Sequence, residues 1–185
     1  MMAGAALVLG VFAAAAGTPY PSGVDADARA SASSVGAVQL AEWIRDRRAG
    51  LQVLDLRTPD AFAQFNIPTS ANIHLAELGV AGLDSTGLVV VYADGDDKAG
   101  RAETILHALG FDSVRVLHDG SDGWVSDILN PMVARDASAA ERAAFDRVAP
   151  LSRYFGGMPR VVDRVDIVES ASTTLARTLR RGCAF

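Results

Sequence analysis

The chain has 185 residues, half of them hydrophobic, and a formal net charge of −5 at pH 7. This length suffices for one domain with a substantial core and additional segments, and the acidic balance argues against a general nucleic-acid-binding protein. The single cysteine, Cys183, excludes an internal disulfide and a cysteine-based metal cluster. Residues 1–130 are acidic whereas residues 131–185 are basic, so the C-terminal segment is suited to an acidic surface of its own domain or of a partner.

The N-terminal stretch, residues 1–17, contains no charged side chain. It ends near Ala14-Ala15-Ala16 and resembles the apolar region and cleavage site of a secretory signal peptide. However, no Lys or Arg precedes it, and its length is at the lower limit for a membrane span. A cleaved signal, a membrane anchor and an ordinary buried or disordered end therefore remain as alternatives, and the first two predict an exported (periplasmic or extracytoplasmic) protein. Residues 18–36, rich in Pro, Ser, Ala and Gly, predict a linker.

Helices and strands are predicted to alternate over the next hundred residues. Val89 to Tyr92 is a continuous apolar run bounded by Gly87 and Gly95, which is typical of a central strand buried on both faces. Strands that alternate with helices through short loops indicate an α/β fold, a small parallel sheet flanked by helices. The other predicted elements are a helix at 37–47, a strand at 51–54, a short helix at 60–65, an extended segment at 71–75, a helix at 99–109 and a strand at 114–117.

The pattern changes after residue 130. Ser138 and Glu141 have the spacing of a capping box, which predicts a helix from there to about Tyr154. A second helix is predicted over residues 166–181. Residues 131–185 are therefore expected to be a helical C-terminal extension.

Three groups of residues resemble the rhodanese-like domain family. Residues 54–62 read Leu-Asp-Leu-Arg-Thr-Pro-Asp-Ala-Phe, which is similar to the family's strand-to-helix signature. Residues 65–73 occupy the place of its Gly-His-Ile-Pro-Gly-Ala segment, although Phe65 and Asn66 replace the Gly and His. Residues 109–124 match its closing pattern. The resemblance covers residues 37–130 and implies a rhodanese-like fold, with the family's active-site loop following Tyr92.

The residues of that loop depart from the family's sulfurtransferases. Those enzymes resemble this loop but begin it with a cysteine that carries sulfur as a persulfide, and the matching position here is Ala93. Sulfur transfer needs a thiolate, and a methyl group supplies none. Family loops tend to carry Arg or Lys with Gly to hold an anionic donor, whereas three aspartates here would repel it. The resemblance thus implies a degenerate loop without a catalytic residue or cofactor, made of Ala93, Asp94, Gly95, Asp96, Asp97 and Lys98.

Asp55 and Arg57 match paired residues that the family has near the base of this loop. They either orient the site or form an ion pair that fixes a turn, and the ion pair is the simpler interpretation. The candidate binding set is Asp55, Arg57, Asp94, Lys98 and Arg101. The loop aspartates lack the other ligands of an EF-hand, so a solvated acidic loop is predicted instead of a metal site.

Two functions remain open at this stage. The first is a catalytically inactive, exported rhodanese-like module that binds an unidentified protein partner, with a membrane tether if residues 1–17 are retained. The second is a sulfurtransferase or sulfur carrier that uses Cys183, whose neighbouring arginines favour the thiolate. Hydrolysis by the acidic loop is a weaker third option, since no partner base is evident.

Overall fold

The computed structural model describes residues 33–164 and 166, which belong to one compact unit. The predictions for residues 1–17, for most of the linker, for Cys183 and for nearly all of the second C-terminal helix lie outside the described residues. Within the described part, no helix has both the length and the apolar character needed to cross a membrane.

Five strands form one sheet in the order β1-β5-β4-β2-β3, and every neighbouring pair is parallel. The elements are β1 (Ser34–Val35), α1 (Ala37–Arg45), β2 (Leu51–Asp55), α2 (Pro59–Gln64), β3 (Ser70–Asn72), a 3₁₀ helix (Leu75–Val80), β4 (Leu88–Tyr92), α3 (Asp96–Ala108), β5 (Val114–Leu117), α4 (Gly120–Trp124), a π-helical turn (Val125–Leu129), β6 (Met132–Ala134), α5 (Ala139–Tyr154) and β7 (Arg160–Val162).

Strand β4 lies at the centre of the sheet, as its apolar run predicts. Its alternate side chains enter two separate cores: Val90 and Tyr92 pack with α1, whereas Val89 and Val91 pack with α3. Because both faces are covered by helices, a central strand has no polar face, and this confirms the predicted α/β fold. The register with β2 runs from Leu51 opposite Leu88 to Asp55 opposite Tyr92. Both strands therefore end side by side at the same edge.

Two boundaries differ from the sequence prediction in ways that matter for the site. Helix α3 begins at Asp96 instead of residue 99, so three residues predicted as loop form its first turn. At the other end of the sheet, Ser34–Val35 pairs with β5, so the predicted linker ends before the edge strand β1. A two-residue strand carries no periodic signal and depends on its partner for definition.

The C-terminal extension contains the predicted helix and two strands that the pattern did not indicate. The capping box at Ser138 and Glu141 is present and begins α5. Strands β6 and β7 flank this helix and pair in parallel as a separate two-stranded sheet. The extension packs against the main core, since the Phe155 ring meets the fully buried Trp124 ring edge-on at 5.1 Å.

Candidate functional site

A cavity of about 460 Å³ opens at the carboxyl ends of β2 and β4. This is the edge at which parallel α/β sheets bind ligands, because the loops that leave the strands and the amino ends of helices meet there. The residues that line it are Arg57, Thr58, Ala93, Asp94, Gly95, Asp97 and Lys98. The structure thus brings together most of the residues that the sequence selected.

Asp55 and Arg57 form a buried ion pair below this cavity. Asp55 is fully buried, and only 6% of the Arg57 side chain is exposed. The guanidinium Nη2 and Nε donate to the carboxylate over 2.6–3.1 Å, and the backbone N–H of Arg57 donates to it over 2.8 Å. Burial opposes the charge, but the hydrogen bond and charge of Asp55 hold the pKa of Arg57 above its ordinary value. The predicted ion pair is therefore present, and Arg57 also reaches the cavity wall.

A second set of contacts holds Arg57 in place. Its Nη2 donates to the Phe65 carbonyl over 2.6 Å, and its guanidinium carbon lies 5.4 Å from the Tyr92 ring centre. The Tyr92 hydroxyl accepts from the backbone N–H of Ile67 and pairs with the Ser70 hydroxyl, each over 3.1 Å. Burial raises the pKa of Tyr92 to about 12, although its hydrogen bonds to Ser70 and Ile67 oppose the shift. This phenol therefore stays neutral and structural at physiological pH.

Ala93 lies directly after β4 and is 3% exposed, at the floor of the cavity. Its carbonyl oxygen is approached so closely by Gly120 that a Cβ on that glycine would lie 2.2 Å away. Gly120 also has a φ of +51°, which favours glycine. Position 120 therefore requires glycine, because only glycine allows this close approach to the backbone of Ala93 at the start of the loop.

The amino end of α3 faces the cavity with an acidic composition. Gly95 is the N-cap residue, and no described side chain caps the helix there. Asp96 and Asp97 are its first two residues, and Asp97 lines the cavity. Carboxylates are stabilised near the positive end of a helix. The Asp97 carboxylate therefore complements the helix dipole that would otherwise be available to an anionic ligand.

Lys98 lines the cavity and also contacts the end of β2. Its Nζ donates to the backbone carbonyl of Leu56, which ties the first turn of α3 to the end of β2. On the opposite side, the Ser121 hydroxyl donates to Asp94 over 3.4 Å. Arg101, the remaining member of the predicted binding set, is exposed on α3 and does not line the described cavity.

Two polar residues of this region were missed by the sequence analysis. Thr58 lines the cavity and its hydroxyl accepts from the backbone N–H of Ala61, capping α2. The Thr-Pro pair that precedes a helix is an N-cap signal and could have identified it. Ser121 is 4% exposed beside Asp94, and only its place in the closing pattern indicated it.

The chemistry available at the cavity wall is limited. The described lining residues include no thiol and no imidazole, and the one hydroxyl among them caps a helix. Among the described residues no group of three or more His, Cys, Asp or Glu side chains is arranged to hold a metal ion. The site combines two cations engaged by protein acceptors with carboxylates that face solvent, an arrangement suited to polar contacts at a surface.

Comparison with known proteins agrees with this architecture. The family model for the rhodanese-like domain matches residues 37–127. No curated protein sequence matches the chain.

Among solved structures, a full-length protein from Lactobacillus plantarum is 19% identical to this chain, with a TM-score of 0.50, over 55% of this chain and 88% of its own. The BH2092 protein from Bacillus halodurans is 23% identical, with a TM-score of 0.48, over 55% and 78%. A human single-domain sulfurtransferase is 18% identical, with a TM-score of 0.44, over 50% and 95%. Residues 37–127 of this chain are a rhodanese-like domain.

Proposed function

We propose that this chain is an exported rhodanese-like module that does not transfer sulfur at its loop and acts by binding a protein partner. The observation that carries the proposal is Ala93. By the resemblance to the family it matches the position of the sulfur-carrying cysteine, it lines the cavity, and it presents a methyl group where sulfur transfer requires a thiolate. No other described lining residue offers a substitute nucleophile with sulfur's chemistry.

The electrostatics of the cavity support the same conclusion. An anionic sulfur donor needs cations, but the Arg57 guanidinium is paired with Asp55, which leaves Lys98 as the one lining cation without an ion-pair partner among the described residues, and its ammonium also donates to a backbone carbonyl. Asp94 and Asp97 line the same space with exposed carboxylates. Like charges about 4 Å apart cost about 1 kcal/mol in water and more in a cleft. The cavity is therefore better suited to a basic group of a partner than to thiosulfate.

Sulfurtransferase assays of the purified full chain test the catalytic half of the proposal. With thiosulfate as donor and cyanide as acceptor, we expect thiocyanate to form at the rate of the enzyme-free control. Intact-mass measurement after incubation with thiosulfate is expected to show no added sulfur. If turnover or a sulfur adduct were found, and Cys183→Ser abolished it, the sulfur-carrier alternative would be established instead.

Site-specific photo-crosslinking in cells tests the binding half. A photoreactive residue at position 97, on the exposed cavity rim, is expected to give a discrete crosslinked product. The same residue at position 112, exposed but outside the cavity lining, is the matched control and should give none. Equal products at both positions, or none at position 97, would contradict binding at this edge.

Export is proposed from residues 1–17, which resemble a signal peptide. A reporter that is active only outside the cytoplasm, fused after residue 36, should be active. Replacing two leucines of the apolar stretch, Leu7 and Leu9, with arginine should abolish that activity. A reporter that is inactive in the unaltered fusion would refute export.

A further inference from the structure

A second cavity, of about 450 Å³, lies between the C-terminal extension and the main domain. Its walls come from α1, the π-helical turn, β6 and α5, and we call it the C-terminal groove. Apolar side chains form most of the surface, among them Val38, Val133, Phe145 and Val148. Val38, Phe145 and Val148 are only partly buried, so the groove presents accessible apolar area. Water-exposed apolar area in a concave surface favours an occupant that covers it.

The charged groups around the C-terminal groove differ in whether they have an ion-pair partner. Arg164 donates to Asp136 over 3.2 Å and lies 3.9 Å from Glu141. Asp127 also lines the groove, and it accepts a hydrogen bond from the Ser126 hydroxyl over 2.9 Å. No cation among the described residues forms an ion pair with Asp127. The groove therefore favours an apolar occupant that also carries positive charge.

The chain itself continues from the edge of this groove. Arg164 is one of the lining residues, and residues 167–185 follow it within a few positions. Their sequence places Ile167, Ala171, Leu175 and Leu179 four residues apart, the spacing of one apolar helix face. The same segment carries three arginines and one glutamate, so its positive charge complements the carboxylate of Asp127.

We propose that the C-terminal groove binds residues 167–181 of the same chain as an amphipathic helix. The apolar stripe would cover Phe145 and Val148, and an arginine would pair with Asp127. A helix of about 15 residues is only marginally stable alone in water and needs a packing surface. The covalent connection at Arg164 raises the effective concentration of this segment over that of any separate peptide. This assignment is independent of the function proposed for the cavity at Ala93.

Amide hydrogen exchange on the full chain tests the proposal with a matched pair of variants. Ala143 and Ala144 are both exposed on α5, but only Ala144 lines the groove. We expect the amides of residues 167–181 to exchange at least about tenfold more slowly than an unstructured chain. Ala144→Glu should remove this protection, and Ala143→Glu should leave it unchanged. An unprotected segment in the unaltered chain, or equal protection in both variants, would overturn the proposal.

A nitroxide attached to Cys183, the only cysteine of the chain, gives a second and independent readout. In the full chain it should broaden amide signals of β6 and α5 around the groove and leave those of β3 sharp. A second sample mixes two kinds of chain: spin-labelled chains without ¹⁵N, and ¹⁵N-labelled Cys183→Ser chains without a nitroxide. If this mixture shows the same broadening as ¹⁵N chains that carry the nitroxide themselves, the helix in the groove comes from a second copy, and the proposal is refuted. Absence of broadening around the groove in both samples would refute it as well.

Discussion

Restoring a cysteine at position 93 tests whether charge, as well as the missing thiol, excludes sulfur transfer. Ala93 lies on the cavity floor, so Ala93→Cys places a sulfur atom beneath Asp94 and Asp97. Unit charges 4 Å apart interact by about 1 kcal/mol in water, and a doubly charged thiosulfate doubles that value. Longer separations and salt reduce it to about 1 kcal/mol for each exposed carboxylate. Two carboxylates therefore oppose donor binding by about 2 kcal/mol, which corresponds to roughly 30-fold in kcat/KM.

The assay is thiocyanate formation by three variants of the full chain. We expect Ala93→Cys alone to have low kcat/KM for thiosulfate, and addition of Asp94→Asn and Asp97→Asn to raise it by roughly 30-fold. The difference should shrink at about 1 M salt, where charges are screened within about 3 Å. The matched control adds Asp112→Asn and Asp146→Asn, two exposed positions outside the cavity lining, and should leave kcat/KM unchanged. If Ala93→Cys alone were as active as the charge-neutralised variant, the electrostatic reasoning would be wrong.

Three further predictions concern the framework below the cavity. Arg57→Leu leaves the carboxylate of Asp55 buried without its cation, so the free energy of unfolding in urea should fall by about 3–5 kcal/mol; a loss below about 1 kcal/mol would show that the pair is not needed. Gly120→Ala places a Cβ 2.2 Å from a backbone carbonyl oxygen at a φ of +51°, so it should destabilise the fold by more than about 1 kcal/mol, whereas Gly100→Ala, in open space on α3, should stabilise it by about 0.5–1 kcal/mol; similar effects at both glycines would contradict the close approach. The folded state raises the pKa of Tyr92 from 10.0 to about 12, so the neutral phenol contributes stability that is complete below pH 10 and is lost as pH rises towards 12. The unaltered chain should therefore lose up to about 2 kcal/mol more than Tyr92→Phe over that interval, and parallel pH dependences of unfolding would refute the shift.

Much of the fold was predictable because its signals are local. The apolar run of β4, the capping box of α5 and the loop-to-helix signatures each need only neighbouring residues to be recognised. The starts of α3 and of β1 were not predictable in the same way. Three polar residues before Ala99 read as loop by composition, yet acidic residues are favourable in the first turn of a helix. Strands β1, β6 and β7 are two or three residues long, and such strands exist only through partners distant in sequence.

The sequence by itself determined the family of this domain and the absence of a thiol at its loop, because both follow from residue identity at known spacing. Because Ala93 has no thiol, it supplies no thiolate to the cavity, whatever the positions of the side chains around it. Only the tertiary structure decided what Lys98 does. The sequence already predicted the ion pair of Arg57 with Asp55, two residues away, whereas the hydrogen bond from Lys98 to the Leu56 carbonyl exists only after β2 and α3 are brought together. Hydrogen-bond partners depend on distances between elements, and a sequence pattern carries no such distances.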